Sequence, residues 1–177
     1  MFTNPSQNIL QLGLIEGMKV ADFGAGTGFY SKAASEKVGY SGKVYAIEVQ
    51  KDLVKKLEHD IRDWGISNIT CIWGDIEKRG GTKIADHSMD RVILSNVLFQ
   101  AEDKLGLIDE IKRVLKKDGE VLMIDWNEAT GGMGPSPINL VSQTDALELF
   151  KKRGFEFVKN ISTSPHHYGI IFKYKYE

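Results

Sequence analysis

Short apolar runs bounded by glycine, serine, asparagine and aspartate alternate along this chain with longer stretches whose apolar residues recur every three or four positions. The first run, Val20-Ala21-Asp22-Phe23, enters a glycine-rich turn, and a helix from Phe29 to about Val38 follows, stopped by Gly39. Lys43 to Glu48 reads as the next strand. From Asp52 to Trp64 the residues Leu53, Val54, Leu57, Ile61 and Trp64 share one face, opposite Lys55, Lys56, Glu58, Asp60 and Arg62, as in an amphipathic helix packed on a sheet. Strands at Ile69–Trp73 and Asp90–Ser95 come next. A helix bearing Leu107, Ile108, Ile111, Val114 and Leu115 then ends in Lys116-Lys117-Asp118-Gly119 before the strand Glu120–Asp125. Ser142-Gln143-Thr144-Asp145 reads as a capped helix start and Gly154 as its stop. The last two runs, Phe155–Ile161 and Tyr168–Tyr174, suit an antiparallel pair. Strands alternating with helices predict an α/β domain, one domain over residues 1–177.

Chemistry concentrates at the carboxyl ends of the strands. Asp22 precedes Gly24-Ala25-Gly26-Thr27-Gly28, a turn in which glycines let the backbone approach a ligand while the next helix offers its free N–H groups. A tight turn with close helix–strand packing would also want glycines there. A dinucleotide fingerprint requires its third glycine at position 29, which is Phe29, so a nicotinamide cofactor becomes second choice. The carboxylate of Asp22 suits a ligand carrying an ammonium group. Glu48 ends the second strand about 20 residues beyond the glycines, the spacing of a carboxylate that accepts hydrogen bonds from ribose hydroxyls. A solvated strand-end glutamate is the alternative reading.

The segment from Val20 to Ser31 resembles motif I of class I S-adenosylmethionine (SAM) methyltransferases, an acidic residue followed by glycines at alternate positions. Arg113-Val114-Leu115-Lys116 resembles the corresponding stretch of the methyltransferase type 11 group, which includes quinone-biosynthesis C-methyltransferases; Lys117-Asp118-Gly119 departs from that group's Pro-Gly-Gly turn. The resemblance runs from about Pro5 to Tyr174. It implies a Rossmann-like three-layer sandwich: a seven-stranded, mostly parallel sheet in the order 3-2-1-4-5-7-6, with helices on both faces. It also implies SAM as cofactor, held by Asp22, Gly24, Ala25, Gly26, Gly28, Phe29, Glu48, Val49, Gly74, Asp75, Ile76, Ser95 and Asn96. Asp75 would face the exocyclic amine of adenine and Ile76 cover its ring, while Asn96, Phe99 and Trp126 would line the methyl-transfer side.

Composition narrows the acceptor. A net charge of −1 and a pI near 6.4 argue against a protein that grips a nucleic-acid backbone, and Lys112, Arg113, Lys116 and Lys117 read as cations favoured near a helix C-terminus. No apolar run is long enough to span a bilayer and no cationic-then-apolar leader opens the sequence, so a cytoplasmic location is expected. Cys71, the one cysteine, allows neither a disulfide nor a cysteine metal site, and no metal is expected; arsenite methylation, which relies on several cysteines in this group, is excluded on the same count. A small-molecule acceptor is the leading expectation. An RNA or protein methyltransferase and a non-catalytic SAM-binding domain remain as alternatives. Asp125, His166 and His167 are the candidates for a general base, with exposed imidazoles in a turn as the plain reading of the two histidines. The loop Gly131–Pro137 is the candidate substrate cover, and Phe2–Leu12 is expected to pack over the cofactor.

Overall fold

The structure, a computed structural model, describes residues 4–129 and 134–175. The first residues of Phe2–Leu12 and the Gly131–Met133 part of the expected cover therefore lie outside the described residues. In chain order the elements are α1 (Pro5–Leu12), β1 (Lys19–Phe23), α2 (Phe29–Val38), β2 (Lys43–Glu48), α3 (Lys51–Asp63), β3 (Ile69–Trp73) and β4 (Met89–Ser95). There follow α4 (Lys104–Val114), β5 (Leu115–Trp126), α5 (Gln143–Lys152), β6 (Phe155–Ile161) and β7 (His167–Tyr174).

The strands form one sheet in the order β3-β2-β1-β4-β5-β7-β6, parallel except for β7, which pairs antiparallel with both β5 and β6. This is the expected order. Strand alternation divides the core between two faces. Ala21, Phe23, Val92, Leu94, Val121 and Met123 meet Leu107, Ile111 and Val114 of α4 and Phe150 of α5. Val20, Val44, Ala46, Ile93 and Leu122 meet Ile9 of α1, Ala34 and Val38 of α2, and Leu57 and Ile61 of α3. The two sets of helices thus cover opposite sides, and every parallel strand points its carboxyl end to one edge. No described helix is long and apolar enough to cross a membrane.

Most boundaries agree with the sequence expectation to within a residue, and two of the differences have a tertiary cause. Helix α4 ends at Val114, and Lys116–Gly119 form an irregular extended segment between the Met89–Leu115 and Arg91–Glu120 pairs, not the last turn of a helix. The cause is tertiary: the N–H groups of His87 and Ser88 donate to the carbonyls of Arg113 and Val114 at 2.9 Å each, satisfying the helix end from the chain leading into β4. Only Lys112 and Arg113 sit in the last turn of α4, while Lys116 pairs with Asp90 at 2.7 Å. Strand β7 begins at His167, opposite Trp126, so this imidazole is buried in the sheet instead of exposed in a turn.

The α5 face rests on an aromatic cluster. Phe150 stacks on Phe172 with centroids 4.1 Å apart and meets Phe155 edge-on at 5.4 Å. Replacing Phe150 with alanine is expected to cost about 3–5 kcal/mol in urea unfolding. A loss below about 1 kcal/mol would show that α5 is not held by this contact.

Candidate functional site

The turn after β1 is held by backbone hydrogen bonds to β2 and within itself. Its Gly24 and Ala25 N–H groups both donate to the Ile47 carbonyl at 2.9 Å, tying it to β2, and Gly28 N–H donates to Ala25 at 2.8 Å. Gly24, Gly26 and Gly28 all have positive φ, which L side chains rarely adopt. Their surroundings differ. A Cβ on Gly24 would stand 2.6 Å from Val97 Cγ2, and one on Gly28 would overlap Leu57 Cδ1, so these two glycines serve close packing of the turn. At Gly26 a Cβ would meet nothing nearer than the Gly24 carbonyl at 4.0 Å, and the residue lines a cavity. Of the three, Gly26 is the one whose missing side chain leaves room for a ligand.

That cavity, of about 900 Å³, gathers the three strand-end carboxylates: Asp22, Glu48 and Asp75 all line it. Its walls also include Gly24, Ala25, Phe29, Val49, Ile76, Ser95 and Asn96 from the expected cofactor set. Gly28 and Gly74 do not line it. Gly74 instead lets two segments close on one another, since a Cβ there would lie 2.5 Å from the Gly81 carbonyl.

Each carboxylate has its own environment. Asp22 is 2% exposed and accepts a 2.6 Å hydrogen bond from Ser31 Oγ on α2. Burial pushes its pKa up to about 6; the Ser31 bonds oppose the shift and the charge of Glu48 adds to it. Glu48 Oε2 accepts from Gly26 N–H at 3.1 Å and Oε1 from Gln50 N–H at 2.9 Å. Its carboxylate therefore supports the glycine turn, while each oxygen keeps a second acceptor position. Asp75 accepts from Glu77 N–H at 3.0 Å and pairs with Lys78 at 2.9 Å, and Lys78 holds its carboxyl below the usual range.

The end of β4 is conformationally unusual. Asn96 has φ 58°, and both Ser95 Oγ and Asn96 Oδ1 are buried without a hydrogen-bond partner among the described residues. A strained backbone beside unsatisfied polar atoms is an arrangement concentrated at functional sites.

The remaining candidates form a second cluster. Phe99, Asp125, Trp126, His166 and His167 do not line the cavity. Asp125, fully buried, accepts from Phe99 N–H at 3.0 Å and Trp126 N–H at 2.9 Å, and burial lifts its pKa to about 6. The Trp126 ring lies 4.2 Å from that of His167, whose pKa burial lowers to about 4, with His166 adding to the shift. His166 Nδ1 pairs at the surface with Glu128 at 2.8 Å.

The cavity also uses residues outside the expected cofactor set. Pro5 and Ser6 of α1 line it, as do Tyr30 of α2, Gln50, Leu53, Glu77 and Gln100. Asn8 Nδ2 donates to Tyr30 Oη at 2.8 Å, locking α1 against α2, so that Pro5 and Ser6 stand at the cavity wall. The Asn4 cap followed by Pro5 marks a helix start in the sequence, but nothing local shows which element it covers.

Similarity to known proteins agrees with this geometry. The model of a family described as a methyltransferase domain matches residues 14–163. The ubiquinone/menaquinone biosynthesis C-methyltransferase of Idiomarina loihiensis is 28% identical over 153 residues, 86% of this chain and 58% of that protein. The arsenite methyltransferase of Mus musculus is 35% identical over 117 residues, 63% of this chain and 31% of that protein. The chain thus spans from about a third to somewhat over half of these curated relatives. A SAM-dependent methyltransferase from Aquifex aeolicus superposes with a TM-score of 0.89 at 26% identity, over 97% of this chain and 90% of the other. The chain belongs to the methyltransferase domain family and has the class I fold.

The buried Asp22 makes a pH-dependent prediction. The folded protein holds this proton more tightly than the unfolded chain, so the group contributes stability at low pH that is lost as pH rises from 3.8 through about 6. Asp22→Asn is therefore expected to raise the stability of the ligand-free protein at pH 7.5, on the order of 2–3 kcal/mol, with the gain shrinking toward pH 4. Equal gains at both pH values in urea unfolding would exclude a raised pKa at this position.

Proposed function

We propose that the cavity at the carboxyl ends of β1 to β4 binds SAM and that the chain transfers its methyl group to a small-molecule acceptor. The observation that carries this reading is the convergence of Asp22, Glu48 and Asp75, from three neighbouring strands, on one cavity. The fit to the cofactor rests on chemistry. A cation with an amine, two ribose hydroxyls and an adenine amine needs acceptors, and the cavity supplies carboxylates at three separated points. Gly26 leaves open space on the same wall.

In this reading Asp22 faces the ammonium end, and a cationic ligand favours the charged form that burial disfavours. Glu48 accepts from the ribose hydroxyls with the acceptor positions its backbone contacts leave. Asp75 accepts from the adenine amine, and Ile76 and Val49 cover the ring. Bound there, the sulfonium supplies an electrophilic methyl carbon. Methyl transfer is an in-line displacement, so the task left to Ser95, Asn96 and the α1 segment is to align the acceptor and exclude water.

Two observations bear on the acceptor class. Relatives are named for methylating arsenite and for quinone biosynthesis. Cys71 lies on β3 and not on the cavity, and burial pushes its thiol up to about 11, which makes it a poor thiolate ligand for arsenic. A carbon or oxygen nucleophile fits better. Asp125 is a stronger base than His167, but both its oxygens hold backbone N–H groups, and this favours an acceptor that loses its proton easily. The same engagement of Asp125 supports a second reading, a domain that binds SAM without turnover.

Incubation with methyl-labelled SAM and a small-metabolite extract separates these readings. Label transfer with release of S-adenosylhomocysteine is expected. Binding without release across the extract would favour the sensor, and absence of binding would end the cavity assignment. Gly26→Val is expected to abolish SAM binding in calorimetry while cooperative unfolding persists, because the side chain enters the cavity. Glu48→Gln should weaken SAM binding by about 1.5–3 kcal/mol. An unchanged dissociation constant would remove Glu48 from the ribose site.

A further inference from the structure

The segment bearing Asp75 and Ile76 is a long irregular connection between β3 and β4, yet it carries the most discriminating contact assigned to the cofactor. Its shape is not set by β3. Asp75 N–H donates to the Gly81 carbonyl at 3.2 Å and Gly81 N–H to Lys78 at 2.8 Å, so residues 75–81 fold back on themselves. Glycine is required at 81 because a Cβ would overlap the Asp75 carbonyl.

Helix α4 grips this folded segment at three successive points. At its start, Asp103 N–H donates to Glu77 Oε2 at 2.6 Å. One turn on, Gly106 lets the helix lie against the Glu77 carbonyl, which a Cβ would approach to 2.6 Å. Farther along, Glu110 reaches the other side of the fold. Its Oε2 accepts from Gly80 N–H at 2.8 Å, and its Oε1 accepts from Thr82 N–H at 3.2 Å and Thr82 Oγ1 at 2.6 Å. Gly80 and Thr82 flank Gly81, the residue that receives Asp75 N–H.

Glu110 is 1% exposed, a position at which a carboxylate is retained only when its acceptor sites are filled. Arg113 completes the set, donating from Nε at 2.8 Å and Nη2 at 2.7 Å, and is itself fixed by the Ile84 carbonyl and by Asp86. Burial opposes ionisation of Glu110, but the bonds from Arg113, Thr82 and Gly80 outweigh it and hold the carboxyl below its usual range. The charge is therefore a fixed anchor.

We infer that Glu110 is a positioning residue for adenine recognition: through Gly80, Gly81 and Thr82 it sets where Asp75 presents its carboxylate to the cavity. This inference rests on the cofactor reading above. A residue that merely keeps the loop folded would, when changed, weaken every ligand of the site alike. One that aims Asp75 would act on ligands that carry the adenine amine.

The test compares S-adenosylhomocysteine with S-inosylhomocysteine, which has an oxygen in place of that amine, by calorimetry on the full chain. In the wild type the adenine ligand should bind more tightly. Glu110→Gln is expected to weaken S-adenosylhomocysteine about tenfold and S-inosylhomocysteine less than about twofold, narrowing the preference. Equal weakening of both ligands, or no change in either, would overturn the inference. Should Glu110→Gln lose its melting transition, Thr82→Val removes one donor to Glu110 and is expected to narrow the same preference; an unchanged preference would overturn the inference as well. A wild type that binds neither ligand would instead overturn the cofactor reading itself.

Discussion

The site depends on the confinement of one short turn. Between the end of β1 and the start of α2 the chain must reverse in a space bounded by Val97 on one side and Leu57 on the other, and both neighbours lie closer than a Cβ tolerates. Positive φ at Gly24, Gly26 and Gly28 is what makes the reversal possible. The Ile47 carbonyl and Glu48 then clamp it to β2. Once the turn is fixed, α2 starts where it does, Ser31 meets Asp22, and the strand-end carboxylates of β1 and β2 fall on the same hollow. Packing and ligand space are thus two consequences of a single backbone path.

The buried carboxylates show how the fold separates structural charge from working charge. Glu110 and Asp22 are both removed from solvent, yet their equilibria move in opposite directions. Glu110 is surrounded by donors, including a guanidinium, so ionisation is favoured and nothing is left for a ligand to add. Asp22 has Ser31 and the like charge of Glu48 nearby, so its ionised form is under-supported in the free protein. A group of this kind gains most from an incoming cation, which is the role the proposed ammonium end of SAM would fill.

Much of this was legible in the chain because parallel strands in a doubly wound sheet carry their own punctuation. The apolar runs ending in Asp22, Glu48 and Asp75 gave β1, β2 and β3 nearly to the residue, and the Ser142 cap placed α5. What escaped were features decided by distant partners. The end of α4 is set by N–H groups from His87 and Ser88, which no local signal announces. His167 is buried because β7 begins beside Trp126. The glycines illustrate the limit most clearly: their spacing reads as a ligand cradle, but only the positions of Val97 and Leu57 reveal that Gly24, which also lines the cavity, and Gly28 serve packing, while Gly26 has open space.

The second cluster, Asp125 with Trp126 and His167, bears on the proposed methyl transfer. Burial drives both titratable groups toward their neutral forms, the aspartate upward and the histidine downward. Asp125 also joins the turn after β4, through Phe99 N–H, to the end of β5, through Trp126 N–H. It therefore braces the turn that follows Ser95 and Asn96. In a displacement that converts a cationic sulfonium to a neutral thioether, rigid placement in a water-poor site contributes more than a solvated base, because the nucleophile is aligned and no solvent must reorganise as charge disappears. Under the proposed methyl transfer, a carboxylate whose oxygens are both committed to the main chain, tying the turn after β4 to the end of β5, fits a bracing role better than that of a base.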